Sequence, residues 1–157
     1  MINDMQIKRI TSSEYKLVTG LFDKYRVFYE QPSDVTLAEN FIKERLENKE
    51  SVIFVALAND GRPAGFTQLY PAISSVRAIK NWLLNDLYVD SDYRKQGIGE
   101  ALIKAAMDFA KGENSTYIKL ETACDNFTAQ SLYEAIGFKK QEPDNAYFTY
   151  RFQLDQK

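Results

Sequence analysis

The stretch that decides the fold is residues 80–111, KNWLLNDLYVDSDYRKQGIGEALIKAAMDFAK. Residues 80–89 are rich in apolar and aromatic side chains, which predicts a strand. Residues 97–111 predict an amphipathic helix. Its apolar stripe consists of Ile98, Leu102, Ala105, Ala106 and Phe109. A polar loop that ends in Gly97 and Gly99 joins the two elements, so the chain turns from a strand directly into a helix.

The loop of this stretch is suited to holding an anion. Its glycines let the backbone come close to a ligand above the helix N-terminus, where free N–H groups and the positive end of the helix dipole point outward. Arg94 and Lys95 add local positive charge. A dinucleotide fingerprint would need its third glycine at Leu102, and no Gly-Lys-Ser/Thr follows for a Walker loop. On these residues alone, an anion site and a simple tight turn both stay open.

Strand and helix patterns alternate along the rest of the chain. Strand patterns cover residues 5–11, 51–58, 64–74 and 117–122, with a terminal pair at 138–142 and 146–154. Helix patterns follow the capping sequence at 11–14, and cover 35–46 and 126–136. This order predicts a mixed α/β sheet with helices on both faces, in a single domain over residues 1–157.

Composition excludes several classes of protein. The 157 residues are 45% hydrophobic and 27% charged with a formal net charge of -2, which predicts a soluble globular domain and disfavours nucleic acid as a partner. The chain has no His and one cysteine, Cys124, so we expect no metal site, no internal disulfide and no His-activated nucleophile. No apolar run approaches the ~18 residues of a membrane helix, and the first residues lack the apolar core of a signal peptide. We therefore expect a cytoplasmic protein without a membrane partner.

Two motifs in the second half of the chain point to a family. The first is Arg94-x-x-Gly97-x-Gly99, and the second is Asn126-x-x-Ala129-x-x-Leu132-Tyr133-x-x-x-Gly137-Phe138. Together they resemble the GCN5-related N-acetyltransferase (GNAT) superfamily, whose acetyl-CoA loop has the form Arg/Gln-x-x-Gly-x-Gly/Ala. The resemblance covers the cofactor half of the chain, about residues 80–138. It implies one three-layer domain whose central sheet is flanked by helices and splays between its fourth and fifth strands.

The resemblance also implies acetyl-CoA as the acetyl donor and CoA as a product. The backbone of Leu87 and Val89 would pair with the pantetheine arm in the gap between the strands. Backbone N–H groups of the loop would hold the pyrophosphate. The loop residues concerned are Arg94, Lys95, Gln96, Gly97, Ile98 and Gly99. Asn126 caps the following helix and would also reach the cofactor.

Two groups are candidates for proton transfer. Tyr133 matches the family's tyrosine, the general acid that protonates the departing CoA thiolate, although its apolar helix stripe equally suits a core aromatic. Some relatives place a basic glutamate on the fourth strand, where this chain has Asn85, which cannot act as a base. Asp86 is the base candidate, with Glu30 and Glu121 as alternatives. Strand alternation predicts that Asn85 and Asp86 project to opposite faces.

The acceptor is expected to be a primary amine of a small molecule or a peptide. Phe28, Tyr29 and Glu30, at the break after the first helix, and Asn85 are the candidate acceptor-binding residues. No cysteine is suitably placed for a covalent acyl enzyme, so we expect direct transfer in a ternary complex. The alternatives are a catalytically inactive acyl-CoA-binding regulatory module and, less favoured, a helix-turn-helix DNA-binding protein. A homodimer is left open.

Overall fold

The computed structural model describes residues 5–154 of the chain. The elements are β1 (Gln6–Arg9), α1 (Lys16–Phe28), α2 (Val35–Glu47), β2 (Val52–Leu57), β3 (Pro63–Ser74), β4 (Ile79–Val89), α3 (Ile98–Gly112), β5 (Ile118–Lys119) and α4 (Phe127–Ile136). Residue contacts group the chain into two compact units, Met1–Glu121 and Thr122–Lys157. The first unit contains all elements up to β5, and the second contains α4.

The first unit is built on one mixed sheet with the strand order β1-β2-β3-β4-β5. The first four strands are antiparallel to their neighbours, whereas β5 runs parallel to β4. The pairing of β4 with β5 is short and joins Trp82 to Ile118 and Leu83 to Lys119. The predicted mixed α/β sheet is therefore confirmed, although β5 is shorter than the pattern over residues 117–122 suggests.

Apolar side chains cover both faces of this sheet. On one face, Ile53 and Val55 of β2 belong to a buried cluster with α1 and α2. The helix members of this cluster are Val18, Leu21, Phe22, Ala38 and Ile42. On the other face, Ala56 packs with Ile98 and Leu102 of α3. Because successive strand residues point to opposite faces, this division confirms helices on both sides.

The start of α3 lies very close to β3 at Gly65. A Cβ atom added at this position would lie 2.9 Å from the Tyr88 carbonyl oxygen and 3.3 Å from Ile98 Cγ2 and from Leu102 Cδ1. Atoms of a real side chain do not approach so closely, so only glycine fits here without a shift of its neighbours. Gly65 thus lets the first turn of α3 sit directly on the sheet beside the end of β4.

One irregularity interrupts the pairing of β3 with β4. Gln68 pairs with Asp86, but the next residue, Leu69, pairs with Leu84, so Asn85 is left over as a bulge. A β-bulge bends its strand and increases the local twist. The side-chain alternation of β4 therefore changes at Asn85.

In the second unit, α4 begins and ends as the sequence predicts. The Asn126 side chain accepts a hydrogen bond from the Ala129 N–H at 3.1 Å, and Gly137 ends the helix with φ 123°. The Phe138 N–H returns to the Tyr133 carbonyl at 3.0 Å. Asn126 is thus confirmed as the N-cap.

The terminal strand pair predicted at 138–142 and 146–154 is wrong: neither segment is a strand in the structure. The alternating aromatic residues of the second segment are largely exposed, and Phe148, Tyr150 and Phe152 are each 86–92% accessible. A segment with high strand propensity forms a strand only when a neighbouring strand supplies hydrogen bonds and covers the apolar face.

Among the helices of residues 5–154, none is long and apolar enough to cross a membrane.

Candidate active site

The loop between β4 and α3 is anchored at its first residue, Asp90. The Asp90 carboxylate caps a short 3-10 turn, Ser91–Tyr93, by accepting a hydrogen bond from the Asp92 N–H at 3.0 Å. It also pairs with Lys24 of α1, whose Nζ lies 2.6 Å from Asp90 Oδ2. The hydrogen bond from Lys24 holds the pKa of Asp90 below its usual range. The charged pair therefore ties the loop to α1 at neutral pH.

Beyond this anchor the backbone turns through two left-handed residues. Lys95 has φ 62°, and Gly97, the N-cap of α3, has φ 79°. Glycine adopts this conformation without a Cβ penalty. The Arg94 Nε–H donates to the Val89 carbonyl at 3.0 Å, which holds the end of β4 to the loop. The first N–H groups of α3 have no partner inside the helix, so this turn presents donors and a positive dipole end to an anion.

The edge of β4 beside this loop is open. Its pairing with β5 ends at Leu83, whereas β4 continues to Val89. Leu87 and Val89, which lie in this continuation, are half-buried and pack towards α3. The sheet thus parts between its fourth and fifth strands, as the resemblance implies, and within residues 5–154 no strand pairs with β4 beyond Leu83 on that side.

Asp86 lies at the centre of a buried polar cluster on the α1 face of β4. Gln68 Nε2 donates to Asp86 Oδ2 at 2.5 Å, and Asn85 Nδ2 donates to Asp86 Oδ1 at 2.9 Å. The Tyr25 hydroxyl of α1 also faces this carboxylate and donates to the neighbouring Asn85 carbonyl oxygen at 3.5 Å. Ser51 Oγ in turn donates to Gln68 Oε1 at 2.7 Å. The expectation that Asn85 and Asp86 project to opposite faces is wrong, because the bulge lets their side chains meet.

The electrostatics of Asp86 are unusual for a carboxylate. It is 3% exposed, and no cationic side chain within residues 5–154 forms an ion pair with it. Burial raises the pKa of Asp86, while the hydrogen bond from Gln68, the facing Tyr25 hydroxyl and the hydrogen bond from Asn85 act in the opposite direction. The alternative bases Glu30 and Glu121 are exposed. Of the three candidates, Asp86 has the environment that brings a carboxyl pKa closer to neutrality.

Two tyrosines surround this carboxyl. Burial and the proximity of Asp86 raise the pKa of Tyr25 far above its usual range, and the same two causes raise the pKa of Tyr70 to about 12. Both phenols therefore stay protonated at neutral pH and remain hydrogen-bond donors. Their rings and hydroxyls make the surroundings of Asp86 polar but uncharged.

The predicted acceptor-binding residues lie at the end of α1, next to this cluster. The ring centroids of Phe28 and Tyr29 are 5.2 Å apart, and Tyr29 is 5.1 Å from Tyr25. Phe28 also reaches Tyr88 of β4 at 6.4 Å. Phe28 and Tyr29 are both more than half exposed, and Glu30 follows them with φ 65°. An exposed aromatic edge thus runs from the α1 terminus towards β4.

The corner that carries this edge is fixed by Asp23. Its carboxylate accepts hydrogen bonds from Ser33 Oγ at 2.6 Å and from the Asp34 N–H at 2.8 Å. These bonds lower the pKa of Asp23. Asp34 in turn caps α2 by accepting from the Leu37 N–H at 3.0 Å. The break between α1 and α2 is therefore held by side chains rather than left loose.

Tyr133 and Asn126 belong to the second unit. Tyr133 is half-buried on α4 and its ring lies 6.1 Å from that of Phe138. The ring therefore packs locally, as either role of this tyrosine requires. Its role as general acid stays a prediction.

A family model confirms what these features suggest. The model, described as the acetyltransferase (GNAT) family, matches residues 16–138, from the first residue of α1 to the second residue after the end of α4. The chain belongs to the GNAT acetyltransferase family. It is accordingly an enzyme of the N-acetyltransferase class, and the resemblance seen in the two motifs is confirmed.

Similar proteins agree with membership in the GNAT family. An uncharacterized N-acetyltransferase, YhfO of Bacillus subtilis, is 43% identical over 136 residues, which cover 87% of this chain and 91% of the relative. The crystal structure of a probable acetyltransferase is 35% identical with a TM-score of 0.84, over 97% of this chain and 99% of that one. The structure of an aminoglycoside N-acetyltransferase in complex with CoA shares the fold, with 20% identity and a TM-score of 0.73 over 96% and 95% of the two chains.

Sequence reasoning missed three members of the polar cluster in this GNAT enzyme: Ser51, Gln68 and Tyr25. Gln68 carried a readable signal, because an amide in the middle of an apolar strand needs a buried hydrogen-bonding partner. The identity of that partner depends on the register of β3 against β4, which one sequence does not reveal. Tyr25 is one of several aromatic residues of α1 and carries no comparable signal.

Proposed function

We propose that this enzyme transfers the acetyl group of acetyl-CoA directly to a primary amine of a small molecule or peptide. One observation carries the proposal: the buried carboxyl of Asp86 lies on β4 beside the open edge of that strand, and the glycine-containing turn before α3 follows the end of the same strand. A base and an anion site are therefore spaced along one backbone.

The chemistry of the donor set fits acetyl-CoA. The N–H groups of Gln96, Gly97, Ile98 and Gly99 would hold the pyrophosphate, with Arg94 and Lys95 adding positive charge. The open backbone of β4 at Leu87 and Val89 would pair with the amide groups of the pantetheine arm, much as an added strand pairs with a sheet edge. Asn126 would contribute at the start of α4. When bound, acetyl-CoA supplies a thioester whose carbonyl carbon accepts a nucleophile.

Asp86 and Tyr133 divide the proton transfers. Asp86 accepts a proton from the acceptor ammonium, which leaves a neutral amine with a free electron pair. The amine nitrogen would then bond to the acetyl carbon and release its second proton to solvent, while the bond between that carbon and the CoA sulfur breaks. Tyr133 donates its hydroxyl proton to the departing thiolate and is reprotonated from solvent, so that the net reaction releases one proton.

The acceptor enters along the aromatic edge. Phe28 and Tyr29 present ring faces, which attract organic cations, and Glu30 adds a negative charge beside them. Asn85, exposed at the bulge, is the first polar side chain that the amine meets before Asp86. An aminoglycoside acetyltransferase with the same fold has been solved with sisomicin, a relation at 19% identity that concerns the fold alone.

The test is a transfer assay of the full chain with acetyl-CoA and a panel of amines. The panel contains diamines and polyamines, aminoglycosides, amino acids, and peptides with free N-terminal or lysine amines. Release of CoA thiol, together with the mass of one added acetyl group on an amine, is the expected result. Acetyl-CoA binding without transfer to any member of the panel would contradict the proposal and favour an acyl-CoA-binding regulatory module.

A further inference from the structure

The hydrogen-bonded chain that ends on Asp86 has a fixed direction. Ser51 immediately precedes β2, Gln68 lies in the middle of β3, and Asp86 lies near the end of β4, so this row of hydrogen bonds runs across three neighbouring strands. An amide oxygen cannot donate, so the Ser51 hydroxyl must be the donor to Gln68 Oε1. The Gln68 amide group is then left facing Asp86 Oδ2. The reverse orientation would set two oxygen atoms against each other.

This arrangement treats the two oxygens of Asp86 differently. Oδ2 receives the Gln68 N–H from inside the sheet, where Gln68 is 0% exposed. Oδ1 receives the Asn85 N–H, and Asn85 is exposed at the bulge. A ligand that displaces the Asn85 amide therefore reaches Oδ1, whereas Oδ2 stays occupied by a buried donor.

We infer that Gln68, held by Ser51, is a positioning residue for acetyl transfer, which fixes Asp86 Oδ2 as an acceptor and leaves Oδ1 to take the proton of the acceptor ammonium. In that step an ammonium N–H bond breaks, an Oδ1–H bond forms, and the electron pair stays on the nitrogen. The inference rests on the proposed function, because it takes Asp86 to be the base.

The groups that face Asp86 make the hydrogen bond from Gln68 important for the ionisation of this carboxyl. Tyr25 faces Asp86 from α1 and Tyr70 lies near it on β3, and both are neutral phenols at neutral pH. Arg45 and Glu50 lie beyond Tyr70 and have opposite charges. With no cation paired to the carboxylate, its hydrogen bonds are what favours the charged form. Loss of the Gln68 donor therefore raises the pKa of Asp86 further.

The experiment compares three variants with the wild-type enzyme. Gln68→Met keeps the volume and removes the donor, and Ser51→Ala releases the Gln68 amide. Thr67→Val is the matched control, because Thr67 is equally buried and its hydroxyl donates to the Asp86 backbone oxygen at 2.8 Å rather than to the carboxylate. Two quantities are measured: kcat/KM for the best amine as a function of pH, and the Asp86 carboxyl titration by NMR of protein labelled with ¹³C in its aspartates.

In Gln68→Met we expect the acidic limb of kcat/KM and the NMR titration to move together to higher pH by about one unit. In Ser51→Ala we expect the rate profile and the NMR titration to move in the same direction by less. This variant replaces Gln68→Met in the test if Gln68→Met fails to fold. Thr67→Val moves neither, although it lowers stability. The KM for acetyl-CoA stays the same in all three.

Three results would overturn the inference. The first is an unshifted NMR titration in Gln68→Met, or in Ser51→Ala where Gln68→Met does not fold. The second is a shifted titration with an unshifted rate profile, because Asp86 would then not be the proton acceptor. The third is an equal shift in Thr67→Val. Failure of the proposed function is separate: wild-type enzyme that transfers acetyl to no amine overturns that function, while the NMR titration still reports whether Gln68 controls Asp86.

Discussion

The two ends of one stretch of chain, β4 and the loop that follows it, are built by different means. At residues 84–86 the structure relies on buried side chains, with Asp86 held by donors from β3 and β4. Beyond Val89 it relies on the backbone, with Lys95 and Gly97 in left-handed conformations and the N–H groups of α3 exposed to a ligand. On the proposed function, the first region acts through the ionisation of Asp86, and the second through a backbone shape that fits an anion. Substitutions should therefore act on rate at one end and on binding at the other.

The largest effect is expected at the side-chain end, from Asp86→Asn. Loss of the base lowers kcat/KM by about 10²- to 10⁴-fold, with acetyl-CoA affinity unchanged. The new side chain has the same shape, its oxygen can still accept from Gln68 Nε2, and the exposed Asn85 amide can turn to face the new NH2 group, so we expect the variant to keep its fold. Steady-state kinetics measure the change in kcat/KM, and isothermal titration calorimetry measures the affinity for acetyl-CoA. A similar loss of acetyl-CoA affinity would break the division between the two ends.

Asp86→Asn should also change how the free energy of unfolding depends on pH. Because the folded pKa of Asp86 is raised above its ordinary value of 3.8, the native state holds its proton longer, and wild-type stability falls as pH rises through that window. Asp86→Asn removes this dependence. Urea unfolding should therefore show that the stability of the variant relative to wild type increases from about pH 4 upward.

The next effect concerns Tyr133, which lies on neither end of β4. Tyr133→Phe keeps the ring and its contact with Phe138 but deletes the hydroxyl. As general acid, its loss lowers kcat by ~100-fold with little change in acetyl-CoA binding. Single-turnover kinetics give the measurement, because slow product release can hide a change in chemistry. Near-normal chemistry in a folded variant would assign Tyr133 to packing and leave solvent as the acid.

At the backbone end, Gly97→Asp should weaken acetyl-CoA binding by about tenfold or more. The substitution puts a side chain on a residue with φ 79° and a negative charge against the pyrophosphate. Gly97→Ala is the control, since it carries the backbone strain without the charge and should weaken binding less. Equal affinity of wild type and Gly97→Asp, measured by titration calorimetry on folded protein, would remove the loop as the anion site.

The smallest effect is expected at the exposed aromatic edge. Glu30→Gln removes a solvent-screened charge, so the KM of a cationic acceptor should rise only about threefold, with kcat and the KM for acetyl-CoA unchanged. Varying the salt concentration sharpens this test, because the difference between wild type and variant should shrink at high salt. An unaltered acceptor KM would move the acceptor path away from the α1 terminus.

The same comparison shows what the sequence was able to predict. The loop between β4 and α3 can be predicted from the sequence, because its glycine spacing, the strand before it and the apolar helix stripe after it are all local patterns. The polar cluster around Asp86 can be predicted from the sequence only in part. Asp86 was a candidate on its residue type, but its partner Gln68 lies on another strand, and the pairing that joins them is not local. The bulge at Asn85 also broke the alternation on which the prediction of opposite faces depended.

The C-terminal segment failed for the complementary reason. Residues 146–154 have the alternation and the aromatic content of a strand, which is why the sequence predicts one there. The structure leaves Phe148, Tyr150 and Phe152 exposed and unpaired as a strand. A local preference for the extended conformation therefore does not suffice. A segment becomes a strand of a sheet only where a neighbouring strand pairs with it.

The bulge residue has one more consequence, which concerns the regularity of β4. If Asn85 were absent from the sequence, Trp82, Leu84, Leu87 and Val89 would alternate without interruption against Leu83, Asp86 and Tyr88. Trp82, Leu87 and Val89 already pack on the α3 side, and Tyr88 on the α1 side, so both faces would be preserved. The sheet alone thus has no use for Asn85. The one residue that breaks the alternation of β4 is therefore also the residue whose side chain contacts the buried Asp86 carboxyl.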